Sequence, residues 1–109
     1  SDIFSLKNSF NNYFDYIIEQ TCFCAINPGR RGEYEGLAHR ILNSTGSLIG
    51  LWYPINKAIK DGGPPWGVSI SSLKDIFEKR WIIKEECYSE LSVEKRKQRE
   101  KLIIFKKRL

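Results

Sequence analysis

The chain has 109 residues, 41% hydrophobic and 13% aromatic, with a formal net charge of +5. That bounds it to one domain with a modest core, too apolar for wholesale disorder, and no apolar run reaches the roughly 18 residues a membrane span needs. The charge is uneven: Lys95, Arg96, Lys97, Arg99, Lys101, Lys106, Lys107 and Arg108 crowd the last segment, while the first 91 residues are almost neutral. Three cysteines cannot all pair with one another, which points to an intracellular, reducing compartment. No charged-then-apolar secretory leader is visible, and a chain that starts with Ser and contains no Met is expected to be an excised fragment.

Residues 3–20 read as an amphipathic helix. Ile3, Leu6, Phe10, Tyr13, Phe14, Ile17 and Ile18 recur at three- and four-residue spacings, and Asp2 or Ser5 suits the cap. The apolar stretch 21–26 fits a buried strand or the tail of that helix. Pro28 disfavours helical geometry at Asn27, and Asn27-Pro28-Gly29-Arg30 suits a type II turn. A helical pattern follows from Glu33, with Tyr34, Leu37, Ala38, Ile41 and Leu42 on one face. Asn43–Ser47 interrupts it. Ser47 is then a plausible cap for a helix reaching Ile59, kinked or restarted at Pro54. Asp61–Gly67 is a Gly/Pro loop carrying Trp66, whereas Trp52 and Trp81 suit the core. Val68–Ile70 alternates like a short strand. Ser71 or Ser72 caps a helix with Leu73, Ile76 and Phe77, and Trp81–Lys84 continues it or forms a strand. The final segment favours a helix, because Glu94–Lys101 is rich in helix formers, although Leu102–Phe105 alone fits a strand.

Phe23-Cys24-Ala25-Ile26-Asn27-Pro28-Gly29 resembles the first active-site motif of the mismatch-specific branch of the uracil-DNA glycosylase superfamily. There the Asn positions the attacking water, a role the resemblance implies for Asn27. It covers seven positions, and the superfamily's second motif has no counterpart here. The chain is also short for that fold's parallel sheet with helices on both faces.

Arg30 and Arg31 stand between this turn and a helix start, where backbone amides attract anions, so a phosphate contact is expected there. Cys22, Cys24, His39 and Cys87 are the only soft ligands, and their spacing suits no zinc knuckle; no metal and no cofactor are expected. His39 is the lone candidate base of a small nuclease, set against a structural role on its helix. Trp66 is either packed inward or an anchor for a partner.

These features lead to a helix-dominated α+β fold, a small single domain with a winged-helix-like arrangement over 34–86. Residues 1–91 form the compact part, and 92–109 a basic C-terminal helix packed on it or extending from it. The expected function is non-enzymatic nucleic-acid binding. DNA or RNA phosphates would be met by Arg30, Arg31, Lys95, Arg96, Lys97, Arg99 and Lys101. The alternatives are a protein–protein interaction or self-association module using Trp66, and a basic nuclease using His39, with Asn27 as a further catalytic candidate.

Overall fold

A computed structural model describes residues 10–20, 22–88 and 99–108. Four strands form one mixed sheet: β1 (Phe14–Gln20), β2 (Leu42–Trp52), β3 (Trp81–Cys87) and β4 (Lys101–Lys107), in the order β1-β2-β4-β3. β1 and β2 run parallel, with Ile17 opposite Leu48 and Gln20 opposite Leu51. β4 lies antiparallel to both β2 and β3. Three helices, α1 (Cys22–Ala25), α2 (Arg31–Ile41) and α3 (Ile70–Phe77), join the strands. No described helix is long and apolar enough to cross a membrane.

The helix-dominated, winged-helix-like expectation is therefore corrected. Phe14–Gln20 is a strand, not the end of a helix, and Leu42–Trp52 is a strand where a serine-capped helix was expected. Tyr16-Ile17-Ile18 and Leu48-Ile49 are consecutive apolar runs without strict alternation, and they satisfy helical spacing by accident. Trp81–Cys87 takes the strand alternative. Val68 and Ser69 form no strand; Ser69 caps α3, its Oγ accepting from the Ser72 N–H at 3.2 Å. The expected basic C-terminal helix is a strand over Lys101–Lys107, because the Leu102–Phe105 run fills an inner position between β2 and β3. Residues 1–9 and 89–98 lie outside the described residues, and with them Lys95, Arg96 and Lys97.

One face of the sheet holds the core. Leu48 and Trp52 from β2 meet Ile103 and Phe105 from β4, under Tyr34 and Ala38 of α2 and Leu73 and Phe77 of α3. Aromatic rings dominate: Phe77 stacks on Phe105 at 4.5 Å, and Phe23 meets Trp52 edge-to-face at 5.2 Å. Trp52 and Trp81 are buried, as their sequence context suggested. Gly50 makes room for Trp52: a Cβ there would lie 2.3 Å from the indole. The helices thus anchor on one face, and the loops between strands and helices gather where β1 and β2 both end.

Candidate active site

In open α/β sheets, ligands bind outside the carboxyl ends of parallel strands. Here β1 ends at Gln20 and β2 at Trp52, side by side. Two loops rise from that edge. The first runs from β1 through α1 to the start of α2. The second runs from β2 over Tyr53–Ser69 to α3.

The loops are stitched together by backbone. Trp66 donates its N–H to the Cys24 carbonyl at 2.7 Å, and Val68 donates to the Pro54 carbonyl at 3.0 Å. Lys57 Nζ donates to the Pro65 carbonyl at 2.8 Å. Gly67 sits so close to the Lys57 carbonyl that a Cβ would be 1.9 Å from its oxygen. Only glycine allows that approach.

Arg31 closes the stitch. It opens α2, yet it is 4% exposed. Its Nη2 donates to the Gly67 carbonyl at 2.8 Å, and its guanidinium lies over the Phe23 ring, 4.7 Å from the centroid. Its Nε is buried with no hydrogen-bond partner among the described residues. Burial pushes the guanidinium pKa down. A buried cation with an orphaned donor and no carboxylate bonded to it among the described residues is costly, and such a group is stabilised when an anion reaches it.

Glu19, the penultimate residue of β1, is 3% exposed. Its Oε1 accepts from the Tyr34 hydroxyl at 2.8 Å and from the Phe23 N–H at 3.1 Å. Desolvation raises its pKa, and those hydrogen bonds oppose the rise. Tyr34 is held well above its ordinary value, by burial first and by Glu19 second. Glu19, Cys22 and Tyr34, together with Leu37, Ala38 and Ile41, line a cavity of about 160 Å³.

Of the residues singled out in the sequence, the structure brings few together. Asn27 caps its own turn, accepting from the Gly29 N–H at 2.8 Å. That turn is a 3-10 turn over Pro28–Arg30, and Gly29 needs no positive φ, unlike a type II turn. Arg30 is exposed and paired with Glu33 at 2.7 Å. Arg99 bonds Asn56 Oδ1 at 3.0 Å and lies over the Tyr53 ring. Lys101 pairs with Glu86 at 2.7 Å. Lys107 Nζ donates to the Leu42 carbonyl, and Arg108 donates to the carbonyls of Glu78 and Trp81. Arg99, Lys101, Lys107 and Arg108 are thus engaged within the fold, so they do not form a free phosphate-binding surface. Trp66 is half-buried on the second loop. His39 lies in the last turn of α2, against the Trp81 ring at 5.6 Å, roughly 12 Å along the helix from Arg31. Glu19 and Tyr34 were missed as site residues. Glu19 had no signal while β1 read as helix, and Tyr34 looked like ordinary core.

The geometry is that of a Rossmann-like mixed sheet of four strands, and the comparisons agree on that fold. The chain aligns over 99–100% of its length with methyltransferase structures, some of them dependent on S-adenosylmethionine (SAM). One is a TehB-like SAM-dependent methyltransferase from Corynebacterium glutamicum: TM-score 0.69, 16% identity, 99% of this chain and 54% of that one. Another is a Burkholderia thailandensis N1-methyltransferase solved with S-adenosylhomocysteine: TM-score 0.69, 12% identity, 99% of this chain and 48% of that one.

The thiopurine S-methyltransferase family matches residues 1–109, and the chain belongs to it. Thiocyanate methyltransferase 1 of Brassica oleracea is 38% identical over 101 residues, which is 89% of this chain and 42% of that protein. The chain therefore spans less than half the length of that relative. Membership in a methyltransferase family overturns the nucleic-acid-binding function, its DNA or RNA partner, the interaction-module and nuclease alternatives, and the glycosylase resemblance.

Proposed function

We propose that this protein carries the acceptor side of a SAM-dependent S-methyltransferase whose acceptor is a small, soft anion, a thiolate or thiocyanate. The observation behind this reading is Arg31: a buried guanidinium at the strand ends with an unpartnered Nε. A thiolate sulfur or the sulfur end of thiocyanate is the kind of group that satisfies it. The Brassica relative named for thiocyanate points the same way.

When bound, the cofactor supplies a methyl group on a sulfonium sulfur, and the acceptor's lone pair forms the new S–C bond while the sulfonium keeps the electrons of the old one. Such a reaction joins an anion to a cation and leaves neutral products, so a dry site favours it over water. The residues present fit the acceptor end. Phe23 and the Cys24–Trp66 stitch exclude water from one side of Arg31, and Arg31 makes the anion tolerable there. Tyr53 and Trp66, half-buried rings on the second loop, suit a flat heterocycle. An intracellular, reducing setting is part of this reading, supported by the odd count of three cysteines.

The test uses SAM labelled in its methyl group. Thiocyanate, a small aliphatic thiol and an oligonucleotide are offered separately, to the chain alone and joined to the remainder of the Brassica relative. Label is expected on the two sulfur acceptors and not on the oligonucleotide. Label on neither sulfur acceptor in either format overturns the proposal.

A further inference from the structure

We infer that Glu19 is a positioning residue that presents Arg31 to the acceptor. This rests on the reading of Arg31 above. The path is short and continuous. Glu19 is the penultimate residue of β1, where the sheet holds its backbone by pairing with Gly50. Its single oxygen Oε1 gathers two groups from different ends of the first loop. One is the N–H of Phe23, whose ring is the platform under the Arg31 guanidinium. The other is the hydroxyl of Tyr34, three residues after Arg31 on the first turn of α2 and so on the same helix face.

Glu19 therefore fixes both the surface on which the guanidinium rests and the helical turn from which it projects. The Gly67 carbonyl fixes only the far end, at Nη2. With Nη2 tied, Phe23 held and the first turn of α2 anchored, Nε has one direction left to point. A buried carboxylate is an expensive choice for a loop clasp, since a neutral acceptor would serve the same two donors at lower desolvation cost. Its Oε1 bonds Phe23 and Tyr34 rather than Arg31, so the guanidinium's charge stays available to a ligand while the clasp holds its geometry.

The experiment compares Glu19→Gln, Glu19→Ala and Tyr34→Phe. Glutamine keeps an oxygen at the Oε1 position, so the clasp survives; alanine removes it; Tyr34→Phe removes one of its two donors. The first readout needs no activity. The Arg31 Nε–Hε signal, assigned by its loss in Arg31→Met, is followed by 15N NMR on the chain itself. A sharp, slowly exchanging signal is expected in the wild type and in Glu19→Gln, and a shifted, fast-exchanging one in Glu19→Ala with its circular dichroism unchanged.

The second readout is steady-state methyl transfer in the joined protein. Glu19→Ala is expected to raise the acceptor KM about tenfold, the scale of one misplaced hydrogen bond. The cofactor KM stays unchanged, Tyr34→Phe falls between, and Glu19→Gln restores most of the loss. An Arg31 signal unmoved by Glu19→Ala overturns the inference. So does a proportional fall in all kinetic constants that Gln does not rescue, which is what a merely structural role gives. If Arg31 responds as expected but no acceptor is methylated, the positioning stands and the functional reading fails.

Discussion

Arg31 and Arg80 lie at opposite ends of the same sheet and treat their charge in opposite ways. Arg80 is about half exposed and grips both oxygens of Glu35, at 3.0 and 2.8 Å; Trp81 Nε1 donates to the same carboxylate at 2.8 Å. Its pKa rises because that pairing outweighs desolvation. Arg31 is buried, bonds a neutral carbonyl, keeps an orphaned Nε, and its pKa falls. One end of the sheet is closed on itself. The other holds a buried cation whose Nε has no partner among the described residues. Perturbed and under-satisfied groups concentrate where function is, and the pair shows both sides of that rule in one small fold.

The comparison breaks most sharply at Arg31. Arg31→Met keeps the volume over Phe23 and removes the charge. Methyl transfer in the joined protein should fall by about a hundredfold or more, the cost of deleting one preorganised donor to a reacting anion. The circular dichroism of the chain should stay unchanged. Full activity in this variant would mean that Arg31 is a structural cation like Arg80.

Gly67→Ala comes next. Its Cβ would meet the Lys57 carbonyl oxygen at 1.9 Å, backbone against backbone, so the loop must move and carry the Gly67 carbonyl away from Arg31. A stability loss of roughly 1–3 kcal/mol is expected from such overpacking. Acceptor KM should rise beyond what the folded fraction explains. Chemical denaturation and kinetics on the same preparation separate the two effects.

At the closed end, Glu35→Ala should cost about 1–2 kcal/mol by urea denaturation, mainly from the stranded Trp81 N–H, since the half-exposed Arg80 is well screened. Activity should not change. A loss of activity here would couple the two ends and blur the contrast.

How much of this the sequence revealed depended on which period each segment carries. α2 was legible from Tyr34, Leu37, Ala38 and Ile41 because an amphipathic helix advertises its face. The Asp61–Gly67 loop was legible because Gly and Pro leave few other readings. β1 and β2 were not, because Tyr16-Ile17-Ile18 and Leu48-Ile49 break the strict alternation that marks a half-buried strand. β4 was obscured by its neighbours: Glu, Lys and Arg before it speak for helix, and only Leu102–Phe105 speaks for strand. Once β1 was taken for helix, Glu19 had no strand end to occupy, and Arg30 and Arg31 looked like one basic pair. Their separation into an exposed ion pair and a buried orphan is set by the turn at Pro28–Arg30, which no composition reveals. The charge of the tail misled for a related reason. Net charge reports on partners only when the cations are free, and Arg99, Lys101, Lys107 and Arg108 are occupied.

The smallest expected effects are in the pH dependence of stability, and they set the two ends against each other once more. At the ligand end, Glu19 has a raised pKa, so the folded state holds its proton more tightly than the unfolded state does. Its contribution to stability therefore falls as pH rises from about 4.5 through the raised value. At the closed end, burial lowers the pKa of His39, with Arg80 and Lys107 adding to the effect and Glu35 opposing it. The folded state there binds its proton less tightly, so stability is lost as pH falls below about 6.5. The two slopes have opposite sign and overlap, and in the wild type they partly cancel. Glu19→Gln should expose the His39 slope, with stability rising from pH 4.5 to 6.5. His39→Gln should expose the Glu19 slope, with stability falling over the same range and methyl transfer untouched. Urea denaturation of both variants across that range is the check. Parallel curves for the two would mean that neither group titrates as its surroundings dictate, and that the ends differ in hydrogen bonding alone.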